Sequence, residues 1–176
     1  MKDIKHITLP LTADVVRTLH IGDRILLSGY LFTARDAAHK RMIEGLDQGR
    51  ELPFDITNQT IFYVGPSPAK PGQIIGSAGP TTSYRMDPYT EQLLELGLKG
   101  MIGKGLRSQS VIDSIKKNTA IYFAAVGGAA ALIAKSIISK ELIAYEDLGT
   151  EAISKLEVKD FPVIVVIDCL GNCLYD

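Results

Sequence analysis

The stretch RILLSGYLFTARDAAHKRMIEGL, residues 24–46, contains the two kinds of element that decide the fold. Residues 24–30 follow a turn signal, Gly22-Asp23, and are rich in large apolar side chains, which predicts a strand. From Thr33 to Leu46 the pattern predicts a helix with Thr33 as its N-cap, because apolar residues recur at helical spacing: Ala37, Ala38, Met42, Ile43 and Leu46. A strand followed directly by a helix is the repeating unit of an α/β fold.

The same alternation of strand and helix patterns continues on both sides of this stretch. Further strands are predicted at residues 4–9, 59–64, 73–77, 101–103, 120–126, 141–145, 153–158 and 161–168, with a terminal hairpin turn at Gly171-Asn172. Further helices are predicted after the N-caps Thr12, Asp87 and Ser108, and over residues 128–138. Several connections are too short for a helical crossover, so we expect a mixed sheet flanked by helices, in one domain over residues 1–176.

The composition is that of a globular chain without a strong charge bias. Of its 176 residues, 46% are apolar and 22% charged, which excludes a disordered protein. Lys and Arg total 19 and Asp and Glu total 20, so the net charge of −1 argues against nucleic acid or an anionic membrane as the main partner. Two Cys and three His are too few for a self-sufficient zinc or iron–sulfur protein, and no metal site is predicted in this chain.

Neither a targeting segment nor a membrane span is predicted. Charges recur in the first six residues and no apolar run follows them, so a secretory signal peptide is not expected. The longest uncharged stretch, residues 118–134, is interrupted by Gly127-Gly128 and is better explained by a buried strand, a tight turn and a helix of small residues. We therefore expect a cytoplasmic protein with reduced thiols.

Polar segments stand where three of the predicted strands end. In the first, Arg35 and His39 are four residues apart on one helix face, which suits an anion site but equally a solvated face with an Asp36–Lys40 pair. In the second, residues 79–87, three consecutive hydroxyl side chains precede Arg85. That combination is able either to wrap an anion or to form a capped turn.

The third polar segment is Gly103-Lys104-Gly105, where two glycines let the backbone approach a ligand closely beside one compact cation. Its spacing is not that of a P-loop, and a plain surface turn is the alternative. Together the three segments would supply three cations suited to a dianion and two hydroxyls beside them, from Arg35, Arg85, Lys104, Thr81 and Thr82. Spacing alone does not establish that the segments meet.

Other candidate features have simpler explanations. Gly127-Gly128 fits close packing of a helix on a strand better than an anion-binding helix start. Cys169 and Cys173 are spaced as Cys-x3-Cys, but two thiols alone across a turn are not expected to ligate a metal. His6 and His20 are predicted to be ordinary core or surface residues.

These motifs resemble the β region of class I fumarases and L-tartrate dehydratases, which are iron–sulfur-dependent hydro-lyases. The resemblance covers essentially the whole chain, in order, and rests on residues 22–23, 26–29, 33–41, 63–66, 68–72, 79–83, 85–87, 103–105, 127–130, 161–162, 168 and 171–172. It implies a swivelling β/β/α fold. It also implies that a separate α subunit carries the Cys ligands of a 4Fe–4S cluster, so that this chain is the β subunit and Cys169 and Cys173 are not ligands.

The resemblance also implies roles for individual residues. The family positions that hold the substrate carboxylates are matched here by Arg35, Arg85 and Lys104, and we expect Thr81 and the adjacent Thr82 to bind the substrate beside them. Thr81 further matches a threonine that takes part in proton transfer with acidic help from the α subunit, since a hydroxyl alone is a poor base at neutral pH. Asp36 and His39 belong to the same motif and are expected to support the site rather than to take part in the chemistry.

The implied reaction is the reversible hydration of fumarate to (S)-malate, at a site between the two subunits. In it the partner's iron acts as a Lewis acid, and the cations of this chain hold the C4 dicarboxylate. Segments 68–72 and 79–83 favour a fumarase; an L(+)-tartrate dehydratase, which gives oxaloacetate, and a non-catalytic anion-binding module are the alternatives. We expect a hetero-oligomer with the α subunit, with a homodimer as an alternative for the isolated chain.

Overall fold

The computed structural model describes residues 3–125 and 130–175, which form one seven-stranded mixed sheet flanked by helices. The strands are β1 Lys5–Thr8, β2 Arg24–Thr33, β3 Thr60–Phe62, β4 Gly100–Gly103, β5 Ile121–Ala125, β6 Ile137–Ala144 and β7 Ile153–Ile167. The α-helices are α1 Ala13–Arg17, α2 Asp36–Asp47, α3 Asp87–Glu95, α4 Gln109–Lys117 and α5 Ala130–Ser136, with short 3-10 helices at Ser83–Met86 and Glu146–Glu151. This confirms the predicted α/β class with a mixed sheet.

Five strands of the sheet close into a ring. Strands β2, β3, β4 and β5 are parallel neighbours, and the long β7 pairs antiparallel with both β5 and β2. The other two strands extend the sheet outside the ring, β1 beside β2 and β6 beside β7. Because β2 to β5 run in the same direction, the loops that follow their carboxyl ends lie at one edge of the ring.

Alternate residues of the parallel strands pack into two separate apolar cores. Phe62 and Phe123 belong to one core, whereas Ile61 and Tyr122, one residue earlier in each strand, belong to the other. The second core also contains the buried faces of α2, α3 and α4. The strands are thus buried on both faces, which explains why their sequences are almost continuously apolar.

Two of the predicted helix starts are confirmed. The Thr12 hydroxyl accepts a hydrogen bond from the Val15 amide at 3.2 Å, and the Ser108 hydroxyl accepts one from the Val111 amide at 3.4 Å. Each hydroxyl satisfies an amide in the first turn that has no partner within its own helix.

Two other N-cap predictions are wrong, because tertiary contacts engage the side chains elsewhere. Thr33 ends β2, and its buried hydroxyl accepts a hydrogen bond from the Ser154 amide at 3.1 Å, so α2 begins only at Asp36. Asp87 is already helical, since a 3-10 helix precedes it, and its carboxylate binds Arg107 instead of capping its own helix.

The prediction of a strand at residues 73–77 is also wrong. This segment lies in a proline-rich loop, where the Ser67 amide donates to the Ser77 carbonyl at 3.1 Å and the Ser77 amide donates to the Ser67 hydroxyl at 2.8 Å. The two strands predicted at residues 153–158 and 161–168 form the single strand β7, with Asp160 at positive φ inside it.

The small-residue helix is shorter than predicted. It ends at Ser136, because Ile137 already pairs with Val158 of β7, and Gly127-Gly128 lie outside the described residues. The terminal turn is reduced to a single antiparallel bridge that links the end of β7 to Cys173. Within residues 3–125 and 130–175, every helix is too short or too polar to cross a membrane.

Candidate functional site

Two of the predicted polar segments directly follow parallel strands of the ring. Arg35 lies two residues beyond β2, and Lys104 follows β4 immediately. Strand β3 lies between these two strands, so all three carboxyl ends share one edge of the ring. The Arg35 side chain is 25% exposed, whereas Lys104 is an exposed residue.

The third segment returns to the same edge through backbone pairing. The Thr81 amide donates a hydrogen bond to the carbonyl of Tyr63, just after β3, at 2.7 Å. Thr82 forms a parallel bridge with Lys104, and the Ser83 amide donates to the Lys104 carbonyl at 2.9 Å. The fold therefore brings the hydroxyl segment against the lysine segment, which spacing alone did not establish.

Asp36 joins the two arginines that the sequence singled out. Arg85 Nη2 lies 2.7 Å from Asp36 Oδ2, and Arg35 Nε lies 3.8 Å from Asp36 Oδ1. Arg35 Nε and Asp36 Oδ1 are both buried, and neither makes a hydrogen bond, so these two atoms interact only through their opposite charges. One carboxylate thus holds two guanidinium groups together, which fits the supporting role predicted for Asp36.

Gly65 gives Arg35 the space that it occupies. A Cβ atom at position 65 would lie 2.6 Å from Arg35 Nη1 and 2.8 Å from Arg35 Cδ, which is closer than real Cβ atoms approach their neighbours. Gly65 lies in the loop after β3, and Arg35 lies in the loop after the neighbouring strand β2. Because Gly65 has no side chain, the Arg35 guanidinium is able to pack against the loop that follows β3.

His39 supports the Arg35 backbone from inside the protein. Its Nδ1–H donates a hydrogen bond to the Arg35 carbonyl at 2.8 Å, and its ring packs edge-on against Tyr63, with centroids 5.4 Å apart. Burial lowers the pKa of His39 from 6.5 to about 4, so the imidazole is neutral at pH 7. A neutral, buried imidazole is suited to holding Arg35 in place rather than to supplying charge.

This environment predicts that acid destabilises the fold through His39. Because its pKa is lower in the folded chain, the unfolded chain binds the proton more readily, and stability falls as pH decreases from about 6.5 towards 4. Between pH 7 and pH 5 we expect His39 to account for a loss of about 2 kcal/mol in the free energy of unfolding. Urea denaturation of His39→Gln should lack this component, while the exposed-site control His20→Gln should retain it. Equal pH dependence of His39→Gln and wild type would contradict the assignment.

Two parts of this site were not predicted from the sequence. Glu151 Oε1 accepts a hydrogen bond from the Ala37 amide at 3.3 Å, at the start of α2, and lies 4.0 Å from Arg35 Nε. Arg107 is a fully buried cation whose Nε lies 2.7 Å from Asp87 Oδ1. Glu151 is remote in sequence and carries no signal, and Arg107, two residues after Gly105, stands in no local pattern that marks it.

The described residues offer no ligand set for a metal cluster. Across residues 3–125 and 130–175, no three His, Cys, Asp or Glu side chains stand close enough together to hold a metal ion. Cys169 and Cys173 are free thiols near the end of β7, and burial raises the pKa of Cys169, which disfavours its thiolate form. A 4Fe–4S cluster therefore does not fit the residues of this part of the chain.

The geometry brings three cationic side chains and two threonines together at the carboxyl edge of the parallel strands of an α/β ring. The family model described as the fumarase C-terminus matches residues 1–176, and the chain belongs to this family, which contains fumarate hydratases and tartrate dehydratases. Its predicted family membership is thereby confirmed.

Several known proteins are similar to this chain. The aerobic class I fumarate hydratase of Escherichia coli K12 is 43% identical over 154 residues, which is 86% of this chain and 28% of that protein. Fumarate hydratase 2 of Leishmania major is 40% identical over 157 residues, 88% of this chain and 28% of that protein. The putative L(+)-tartrate dehydratase subunit beta of Methanocaldococcus jannaschii is 37% identical over 172 residues, 94% of this chain and 88% of that protein. The chain thus spans less than a third of the fumarate hydratases but most of the subunit beta.

Proposed function

We propose that this chain is the β subunit of a heteromeric iron–sulfur fumarate hydratase, which hydrates fumarate reversibly to (S)-malate together with an α subunit. The observation that carries the proposal is the meeting of the three polar segments at one edge of the ring. Two carboxylates need paired N–H donors and a positive field, and that edge supplies both. The likeness to fumarate hydratases supports fumarate as the substrate.

In this proposal the cations bind and orient the dicarboxylate. Arg35 and Arg85, which share the Asp36 carboxylate, take up a substrate carboxylate through paired N–H···O bonds, and Lys104 adds a third charge. When a proton leaves carbon, negative charge builds on the adjacent carboxylate, and fixed cations stabilise that charge. Thr81 takes part in the proton transfer at its hydroxyl, assisted by an acidic group of the partner.

The partner is proposed to be an α subunit that carries the 4Fe–4S cluster. When bound there, the cluster supplies Lewis-acid chemistry. The likeness to a protein named as a subunit beta, 88% of which this chain covers, supports a heteromeric partner. Tyr84 and Leu106 stand beside the site segments and are each 62% exposed, and we propose that the α subunit covers them. The predicted cytoplasmic location stays a prediction.

Anaerobic reconstitution with an α subunit tests the proposal. We expect no hydratase activity from this chain alone, and conversion of fumarate to malate when the α subunit with its cluster is added. Robust turnover by the isolated chain would overturn the subunit assignment, and an inactive reconstituted pair would overturn the proposed reaction.

L(+)-Tartrate dehydratase is the second candidate, favoured by the likeness to the archaeal subunit beta. Both reactions use a four-carbon dicarboxylate, so the cations described above suit either substrate. Parallel assays of the reconstituted pair with fumarate and with L(+)-tartrate separate them. Turnover of tartrate without turnover of fumarate would replace the first candidate by the second.

Gly65→Ala is expected to damage the site with little effect on the fold. The new Cβ displaces the end of the Arg35 side chain, which is flexible enough to move but then no longer faces the substrate. We expect kcat/KM to fall about tenfold to a hundredfold, while the melting temperature changes by only a few degrees. Gly45→Ala is the matched control, because its Cβ would meet Arg50 at an ordinary 3.5 Å. Unchanged kcat/KM in Gly65→Ala would remove Arg35 from the site.

A further inference from the structure

A buried phenol connects the two loops that carry the hydroxyl and lysine segments. The Tyr122 hydroxyl lies 2.8 Å from the Gly105 carbonyl and 2.8 Å from the Ser83 hydroxyl. A phenol has one proton and a carbonyl only accepts, so Tyr122 donates to Gly105 and accepts from Ser83. Both hydrogen bonds are therefore satisfied together, and one side chain links the two loops.

The residues held by Tyr122 are the immediate neighbours of the proposed substrate contacts. Ser83 follows Thr82, and Gly105 follows Lys104. The Ser83 amide also donates to the Lys104 carbonyl at 2.9 Å. The two loops are therefore joined twice, once by this backbone hydrogen bond and once through the Tyr122 hydroxyl. A shift of the phenol would change where Thr82 and Lys104 lie relative to each other.

The Tyr122 ring is itself held by a rigid buried cluster. The Arg107 guanidinium carbon lies 4.9 Å from the centre of the Tyr122 ring and 5.3 Å from that of Tyr63. Arg107 is fixed in turn by hydrogen bonds to Asp87 at 2.7 Å and to Thr90 at 3.0 Å. The Tyr122 ring therefore packs against a buried guanidinium that is held by its own hydrogen bonds.

The space around the two loops leaves little freedom for other arrangements. A Cβ atom at Gly103 would overlap the Ser83 hydroxyl and approach the Tyr63 ring to 2.8 Å. Burial raises the pKa of Tyr122 well above its usual value of 10, so the phenol keeps the proton that it donates to Gly105. Its hydroxyl is committed to two partners inside the protein and is not a candidate for proton transfer to substrate.

We propose that Tyr122 is a positioning residue, which fixes Thr82 and Lys104 in the arrangement needed for turnover by joining Ser83 to Gly105. This inference rests on the proposed function, since it assigns Thr82 and Lys104 to the substrate. Tyr122 lies on β5, and its hydrogen-bond partners, Ser83 and Gly105, are sequence neighbours of the proposed substrate contacts rather than contacts themselves.

Tyr122→Phe in the reconstituted complex tests the proposal, because it removes only the hydroxyl and keeps the ring beside Arg107. We expect kcat to fall about tenfold to a hundredfold, since misplacement of a substrate contact by about 1 Å has effects of that size. KM should change less than kcat, because Arg35 and Arg85 are held by Asp36 rather than by Tyr122. Tyr30→Phe is the matched control, since the Tyr30 side chain is exposed on β2, and its kcat should be unchanged.

A double variant separates positioning from general loss of stability. Ser83→Ala removes one of the two hydrogen bonds of Tyr122, so Ser83→Ala/Tyr122→Phe should lose no more kcat than Tyr122→Phe alone. Additive losses in kcat, or a Tyr122→Phe variant that melts earlier but keeps the wild-type kcat and KM, would overturn the proposal.

Hydrogen exchange of the full chain gives a readout that does not depend on activity. In Tyr122→Phe, the amides of residues 81–83 and 103–106 should exchange faster than in wild type, while those of β2 stay unchanged. If the wild-type complex turns over neither fumarate nor tartrate, the proposed function fails and the role of Tyr122 is judged on exchange alone. Faster exchange in both loops then upholds the link between them, and unchanged exchange overturns it.

Discussion

Arg85→Ala should lower kcat/KM for fumarate by about 2–5 kcal/mol, which is roughly thirtyfold to several thousandfold. The guanidinium lies 2.7 Å from Asp36 Oδ2, so its removal takes away a proposed substrate contact and also leaves Asp36, at the proposed site, without its nearest counter-charge. A carboxylate beside a substrate carboxylate repels it, which adds to the loss. Steady-state kinetics of the reconstituted complex measure this effect.

Two further variants make the Arg85 result specific. Arg85→Lys keeps the charge but loses the paired N–H donors, and it should recover only part of the activity. Arg24→Ala removes an exposed arginine at the opposite end of β2 and should behave as wild type. Wild-type kcat/KM in Arg85→Ala would show that Arg85 does not contact the substrate.

Arg107→Met should lower the free energy of unfolding by about 3–5 kcal/mol. The Arg107 side chain is fully buried, and that of Asp87 is only 12% exposed, so the substitution leaves a carboxylate without its cation in a poorly solvated place. Tyr63 and Thr90 lose hydrogen bonds from the same guanidinium. Urea denaturation measures the loss directly.

Comparison with an exposed ion pair distinguishes this buried interaction from a surface one. Arg17 lies 3.0 Å from Asp14 on α1, but both side chains are largely exposed, and Arg17→Met should change stability by less than about 1 kcal/mol. Arg107→Met/Asp87→Leu should regain part of the loss, because no buried charge is then left unpaired. A loss in Arg107→Met as small as that in Arg17→Met would contradict the buried role of this pair.

The sequence predicted the elements of the ring better than their ends. Strand β2 and helix α2 follow from local pattern, because apolar periodicity reflects which faces are buried. Their junction did not follow, since the Thr33 hydroxyl binds Ser154, a residue about 120 positions away. Closure of the ring by β7 also has no local signal, because antiparallel pairing of β7 with both β2 and β5 is a property of the whole chain.

The proposed substrate contacts and two of the residues that hold them, Asp36 and His39, stand out in the sequence, whereas Tyr122 does not. Arg35, Thr81 and Lys104 stand out as polar side chains just beyond strand ends or between glycines. In the sequence, nothing separates Tyr122 from any other aromatic residue of a buried strand. Only its two hydrogen bonds in the structure mark it as different. The proposed substrate contacts are polar exceptions to the apolar pattern, whereas Tyr122 obeys it.

A crystal structure of the reconstituted complex with bound malate would show directly whether this edge of the ring binds the substrate. The carboxylates of malate should lie within hydrogen-bond distance of Arg35, Arg85 and Lys104, with Thr81 and Thr82 beside the ligand. Malate bound elsewhere, with these cations facing solvent or paired only within the protein, would contradict the proposed substrate site.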